Sequence, residues 1–293
     1  MPTSERTPKF NLTRIIEQTE AIPTLSKVYA RVQRMVSDPD TTASELARVV
    51  ESDQAFTLRL LQLSNSAEQA RLSAVTTVKQ AIVVLGFRTV RAAALSSSVM
   101  GSMEHYASPD VEQLWERAYA TATASRLLAA RLNMAEPEEA FVLGLVQNMG
   151  QIILGVKATA AYTKVRKLID EHHEIDLLEA ENRVLGINHQ EVGYILARRW
   201  QLPDVIAHVT FRHHEPERAG KFRGPATLVY LADTVARALG IGSDGDNFMR
   251  PLQVSAARWK KLGLNTFDLE QVMKQTLEEQ SGFEEFYSTN GTA

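Results

Sequence analysis

No stretch of this chain alternates apolar and polar residues with the period of two that a half-buried strand requires, while helix start and stop signals recur along its whole length. Thr42-x-x-Glu45 and Thr77-x-x-Gln80 read as capping boxes, in which a hydroxyl and a longer polar side chain each satisfy an orphan backbone group. Asp176-x-x-Glu179 and Asn188-x-x-Glu191 do the same for two later helices, separated by Gly186. Asp53 caps a helix with Phe56, Leu60 and Leu63 on one face. Pro23 is placed in the first turn of a helix through Tyr29, Val32 and Val36, which Ser37-Asp38-Pro39-Asp40 stops. Gly86 separates a helix over 78–85 from another running from about Arg88 to Met103. Pro137 opens a helix to near Gly150, Pro203 one that ends before Glu215-Pro216, and Pro225 one through Asp233 to Leu239. A loop over 240–246 and two amphipathic helices follow.

The fold class is therefore all-α. A chain of 293 residues exceeds what one compact core organises, and two helical lobes are expected. The first is an N-terminal helical bundle over 11–106. The second spans 108–286, with the boundary at Ala107-Ser108-Pro109-Asp110 and disordered tails at 1–10 and 287–293. Hydrophobic residues make up 44% and charged residues 23%, enough to build a core throughout. The formal charge of −3 leaves no basic footprint for nucleic acid or an anionic membrane. The absence of cysteine excludes disulfides and thiolate metal sites. The first ten residues hold no apolar segment of a secretory signal, and the greasy run Ala81–Leu85 is too short to span a bilayer, so a cytoplasmic address is expected.

Several segments, taken in order, resemble an HDOD domain. They are Ile22-Pro23-Thr24-Leu25, Ser37-Asp38-Pro39, Leu60 to Ala67 and Ala81 to Gly86, then Ala140 to Gly150, His189-Gln190-Glu191-Val192-Gly193, Arg199 to Pro203, His213-His214-Glu215-Pro216 and Ala232-Asp233. The resemblance covers about Ile22 to Gly240 and implies an HD-like second lobe, a degenerate branch of the HD phosphohydrolases. Catalytic HD relatives, including the HD-GYP cyclic-di-GMP phosphodiesterases, hold metals with a first histidine, an adjacent His-Asp pair, later histidines and a final aspartate. The resemblance places Arg117 at the first histidine and Gln147-Asn148 at the pair, with Gln151 at the lysine that often follows. A guanidinium has no lone pair to give, and two neutral amides supply neither charge nor imidazole. The Gly-Tyr-Pro signature is absent.

His189, His213, His214 and Asp233 survive, either as a residual metal site or as residues kept for packing and hydrogen bonding. No metal, cofactor or catalytic residue is expected. Adjacent in one helix, His213 and His214 would point about 100° apart, so that at most one faces the pocket. Arg117 is expected to take the metal's place and pair with Asp233; the alternative is a solvated surface charge. The implied function is that of a non-enzymatic bacterial signalling protein related to cyclic-di-GMP or two-component signalling. It would act through a protein partner, with a nucleotide ligand also open. The rivals are a divergent metal-dependent phosphohydrolase or nucleotide-binding pseudoenzyme, and a DNA-binding regulator using Arg88 and Arg91 after the Gly86 turn. Trp115, Trp200 and Trp259 read as packing anchors, His172-His173-Glu174 as a solvated helix end, Gly193 as a close-approach point, and Ser96-Ser97-Ser98 as no nucleophile for want of a base.

Overall fold

The computed structural model describes residues 25–65, 75–103, 109–134, 136–243 and 265–283. Among them there is no strand. The helices are α1 (Lys27–Val36), α2 (Ala43–Val50), α3 (Gln54–Ser64), α4 (Val78–Met103), α5 (Pro109–Leu132), α6 (Pro137–Val146), α7 (Met149–Lys157), α8 (Thr159–Glu171), α9 (Leu177–Leu185), α10 (His189–Arg199), α11 (Asp204–Arg212), α12 (Arg223–Ala238) and α13 (Thr266–Gln280), with two 3-10 turns between α11 and α12. Ile22-Pro23-Thr24, the Ser66-Ala67 end of its motif, Ser108, the 244–246 part of the loop, Trp259 and both expected tails lie outside the described residues.

Local chemistry sets most boundaries. Thr42 and Glu45 form the expected reciprocal box, as do Asn188 and Glu191. Asp53 Oδ1 accepts from Phe56 N–H, and Asp176 caps α9 through Glu179 N–H. Gly186 closes α9 at φ +72, a left-handed conformation that glycine adopts without penalty. Three boundaries differ from expectation. Leu25 and Ser26 are non-helical and Ser26 caps α1 through Tyr29 N–H, so α1 begins at Lys27. The α12 helix begins at Arg223, two residues before Pro225. The helix expected from Pro137 to Gly150 breaks at Gln147-Asn148, where Asn148 adopts φ −100 and ψ 17. Asparagine competes for backbone hydrogen bonds outside helical geometry, and the break redirects α7.

The first three helices pack on α4, and α4 packs on α6. Helices α5, α6 and α12 form the centre of the second half, with α13 against α5. One apolar cluster runs from Tyr29 and Val32 through Ile82, Val90 and Leu114 to Val192 and Val209, so apolar contact continues across the boundary expected at 107–110. A second cluster joins Leu128, Ala140, Leu231 and Val272. Glycine allows one close crossing: a Cβ on Gly150 of α7 would overlap His189 O and Gly193 N of α10. Two stretches, 78–99 and 137–157, are apolar and long enough by composition to cross a membrane. The first is interrupted at Gly86 and the second at Gln147-Asn148, and half or more of each is buried against other helices.

Candidate functional site

The polar interior lies where α5, the α6–α7 break, α10, the end of α11 and α12 meet. Arg117 on α5 is 2% exposed, and its Nε stands 3.7 Å from Asp233 Oδ1 on α12. Arg237, one turn further along α12, donates from Nε to Asp233 Oδ2 at 2.8 Å. Thr121 Oγ1 and Gln147 Nε2 each donate to Asp233 Oδ1 at 3.4 Å. Burial alone would raise the Asp233 pKa, but the Arg237 and Arg117 guanidiniums hold it down at about 2. The carboxylate is thus ionised with both oxygens engaged. Gln147, Asn148 and Gln151 are all buried, and Gln147 Oε1 and Asn148 Oδ1 have no hydrogen-bond partner.

The histidines form the other half. His189 opens α10, fully buried, and its Nδ1 lies 2.7 Å from Glu181 Oε2 of α9. Glu181 Oε2 also accepts from His189 N–H at 2.8 Å, and Glu181 Oε1 accepts from Tyr162 OH of α8 at 3.0 Å. A carboxylate that already receives two donors can only accept from the ring, which assigns a proton to Nδ1 and turns Nε2 inward. His189 Nε2 is 3.1 Å from His214 Nε2. His213 Nδ1 donates to Thr210 O at 2.9 Å, and its buried Nε2 has no partner.

The expectation that His213 and His214 diverge by a helical step is corrected. Helix α11 ends at Arg212, with His213 as its C-cap and His214 in the turn beyond it. Their ring centroids are 4.2 Å apart, and one ligating nitrogen from each of His189, His213 and His214 falls within 4.8 Å of the others. Burial pushes the His213 pKa down to about 3, helped by His189, and His214 is pushed well below its usual value for the same reasons. Asp233 and Arg237 also act on His213, so the two halves are electrostatically continuous.

Sequence reasoning missed Glu181, Tyr162, Thr121 and Arg237. The i,i+4 spacing of Asp233 and Arg237 was a usable signal. A lone glutamate on α9 reads as a solvated charge, so Glu181 gave none. Elsewhere, Trp115 is buried and Trp200 half-buried, and His172 and His173 are exposed at the end of α8. Arg88 and Arg91 pair with Glu136 at 3.1 Å and Glu139 at 2.7 Å, tying α4 to the start of α6.

A chain of this architecture has recognisable relatives. A solved HDOD domain protein of unknown function from Geobacter sulfurreducens superposes with a TM-score of 0.75 at 22% identity, covering 97% of this chain and 99% of that one. A protein from Shewanella amazonensis SB2B, provisionally named a phosphohydrolase, superposes with a TM-score of 0.72 at 22% identity, over 95% of this chain and 97% of that one. Both likenesses speak to the fold. An uncharacterized protein of Treponema pallidum (strain Nichols) is 26% identical over 231 residues, 77% of this chain, and the match spans 44% of that protein's length. The HDOD domain model matches residues 22–216, and the chain belongs to the HDOD domain family.

Proposed function

We propose that this chain is a non-enzymatic binding module of bacterial signalling, working through contacts with a protein partner and open to a nucleotide ligand. The observation that supports it is the state of Asp233. Metal-assisted phosphoryl hydrolysis needs a carboxylate free to hold the ion that generates hydroxide. Here both oxygens of Asp233 are taken by Arg237, Thr121, Gln147 and the Arg117 guanidinium. The neighbouring Gln147 and Asn148 offer only neutral amides. This half of the site does not fit a metal. The test is a phosphodiesterase assay of the full chain on cyclic-di-GMP and a chromogenic phosphodiester, with Mn²⁺, Fe²⁺, Zn²⁺ or Mg²⁺. No turnover is expected, and metal-dependent turnover abolished by D233N would overturn the reading. Titration calorimetry with cyclic-di-GMP then separates a nucleotide sensor from a pure protein-binding module.

A second reading is supported by the histidine half. Three imidazoles bring ligating nitrogens within 4.8 Å of one another. Nitrogens around an ion held at about 2.0–2.1 Å stand about 3.3 Å apart, so His189, His213 and His214 fit one divalent ion after a small contraction. Such an ion would supply Lewis-acid polarisation to a bound oxygen. Metal analysis of the purified chain after Zn²⁺ exposure, with a H189A/H213A control, tests this reading. One equivalent lost in the control supports it, and no bound metal sinks it.

A further inference from the structure

We infer that Glu181, anchored by Tyr162, is a positioning residue that turns His189 Nε2 into the three-histidine cluster and so sets the affinity of that cluster for one divalent transition-metal ion. The inference rests on the second reading above and deepens it.

Glu181 is 0% exposed. A buried carboxylate survives only where donors surround it. Its donors are Tyr162 OH, His189 N–H and His189 Nδ1–H, at 3.0, 2.8 and 2.7 Å. The contact to His189 N–H satisfies an orphan donor in the first turn of α10, which is a structural task. The ring contact is not needed for that task, because Asn188 and Glu191 already complete a capping box at the same helix end. What the ring contact does is orient the ring. With Nδ1–H held by the carboxylate, Nε2 faces His214 at 3.1 Å. A second device does the same at His213, where Thr210 O holds the Nδ1 proton and leaves a buried Nε2 without a partner. Two rings are therefore oriented through Nδ1 by two unrelated acceptors, and each brings a ligating nitrogen within 4.8 Å of the others in the cluster. Packing alone does not call for that. The 3.1 Å approach of His189 Nε2 to His214 Nε2 marks the position a cation would take over.

The ligand chemistry also selects the ion. Neutral imidazoles without a free carboxylate suit Zn²⁺, Co²⁺, Ni²⁺ or Cu²⁺ and are poor ligands for Mg²⁺, Ca²⁺ or Mn²⁺. A carboxylate behind a ligating imidazole orients the ring and raises its basicity. Its removal typically weakens metal affinity about 10- to 100-fold.

The experiment is a Co²⁺ titration of the full chain, read by visible d–d absorption and by calorimetry, with Mg²⁺ as a control and the melting temperature of each variant measured in parallel. Wild type is expected to take up one equivalent of Co²⁺. E181Q keeps the size of the side chain and is expected to bind about 10- to 100-fold more weakly with an altered visible spectrum. If wild type takes up no Co²⁺, the metal reading falls and this inference with it. If wild type binds and folded E181Q binds equally well, the positioning role falls while the metal reading stands. Should E181Q not fold, Y162F keeps the carboxylate and removes one anchor. Weaker Co²⁺ binding by folded Y162F supports the inference, and unchanged affinity overturns it.

Discussion

Replacing Arg117 by methionine removes a buried charge while leaving an unbranched stem to fill most of its space. Arg117 and Asp233 side chains are 2% and 9% exposed, so solvent screens them little. Two unit charges 3.7 Å apart attract by about 4 kcal/mol at an effective dielectric of about 20, which sets a ceiling. Two features lower it. The separation exceeds the roughly 2.7–3.2 Å of a well-formed N–H···O hydrogen bond. Arg237 also keeps Asp233 neutralised after Arg117 is gone. R117M should therefore cost about 2–3 kcal/mol, and D233N about 3–5 kcal/mol, because it strips two guanidiniums of their counter-charge. The double variant should cost less than the sum by about 2 kcal/mol. Urea unfolding of the four proteins, followed by circular dichroism, measures this coupling. Additivity within about 0.5 kcal/mol would refute the claim that the arginine fills the pocket by pairing with the aspartate.

A Cβ on Gly193 would overlap the Thr210 methyl carbon, so G193A should destabilise by about 1–3 kcal/mol. The next neighbour is Gly150 N at 3.5 Å, so adding T210S should restore most of the lost urea midpoint. Acid should destabilise the fold before carboxylates titrate. Unfolded His213 takes a proton near pH 6.5 and the folded protein only near pH 3, so the unfolded state binds more protons in that window. Stability then falls on acidification by up to about 1.4 kcal/mol per pH unit for each such group, and His214 adds in the same direction. Asp233, held at about 2 against an ordinary 3.8, adds a further loss between those values. H213Q, which cannot titrate, should flatten the slope of urea midpoint against pH by about one proton, and an unchanged slope would contradict the burial argument. R91A should cost no more than about 1 kcal/mol, less at high salt, since its partner Glu139 is over a third exposed; a larger, salt-insensitive loss in thermal unfolding would mean the pair does more than tether α4 to α6.

Much of the helix order could be read from the chain because caps and stops are local. Thr42, Asp53, Asp176 and Asn188 each act on a backbone group three residues away, so nothing distant is needed to see them. The break at Gln147-Asn148 was not visible, because the apolar pattern from Ala140 to Val146 resumes at Met149 and Ile152 on its far side. The candidate site divided along the same line. Arg117, Gln147, His189 and Asp233 could be placed by resemblance because they occupy fixed steps in a known order. Glu181 and Tyr162 could not, because their role is set by which helix happens to lie beside the ring of His189. The turn that unites His213 with His214 was misread as helix because the end of α11 was set only by the later proline, not by the residues just after Arg212.

Gly86 stands inside α4 at φ +79 and ψ 159, a conformation essentially reserved for residues lacking a Cβ. No neighbour crowds it, so the constraint is purely torsional. Everything that α4 hands on to α6 through Arg88 and Arg91 comes after that joint. Any other amino acid there would change the heading of the helix rather than its packing, and the front of the molecule would meet the rest at a new bearing.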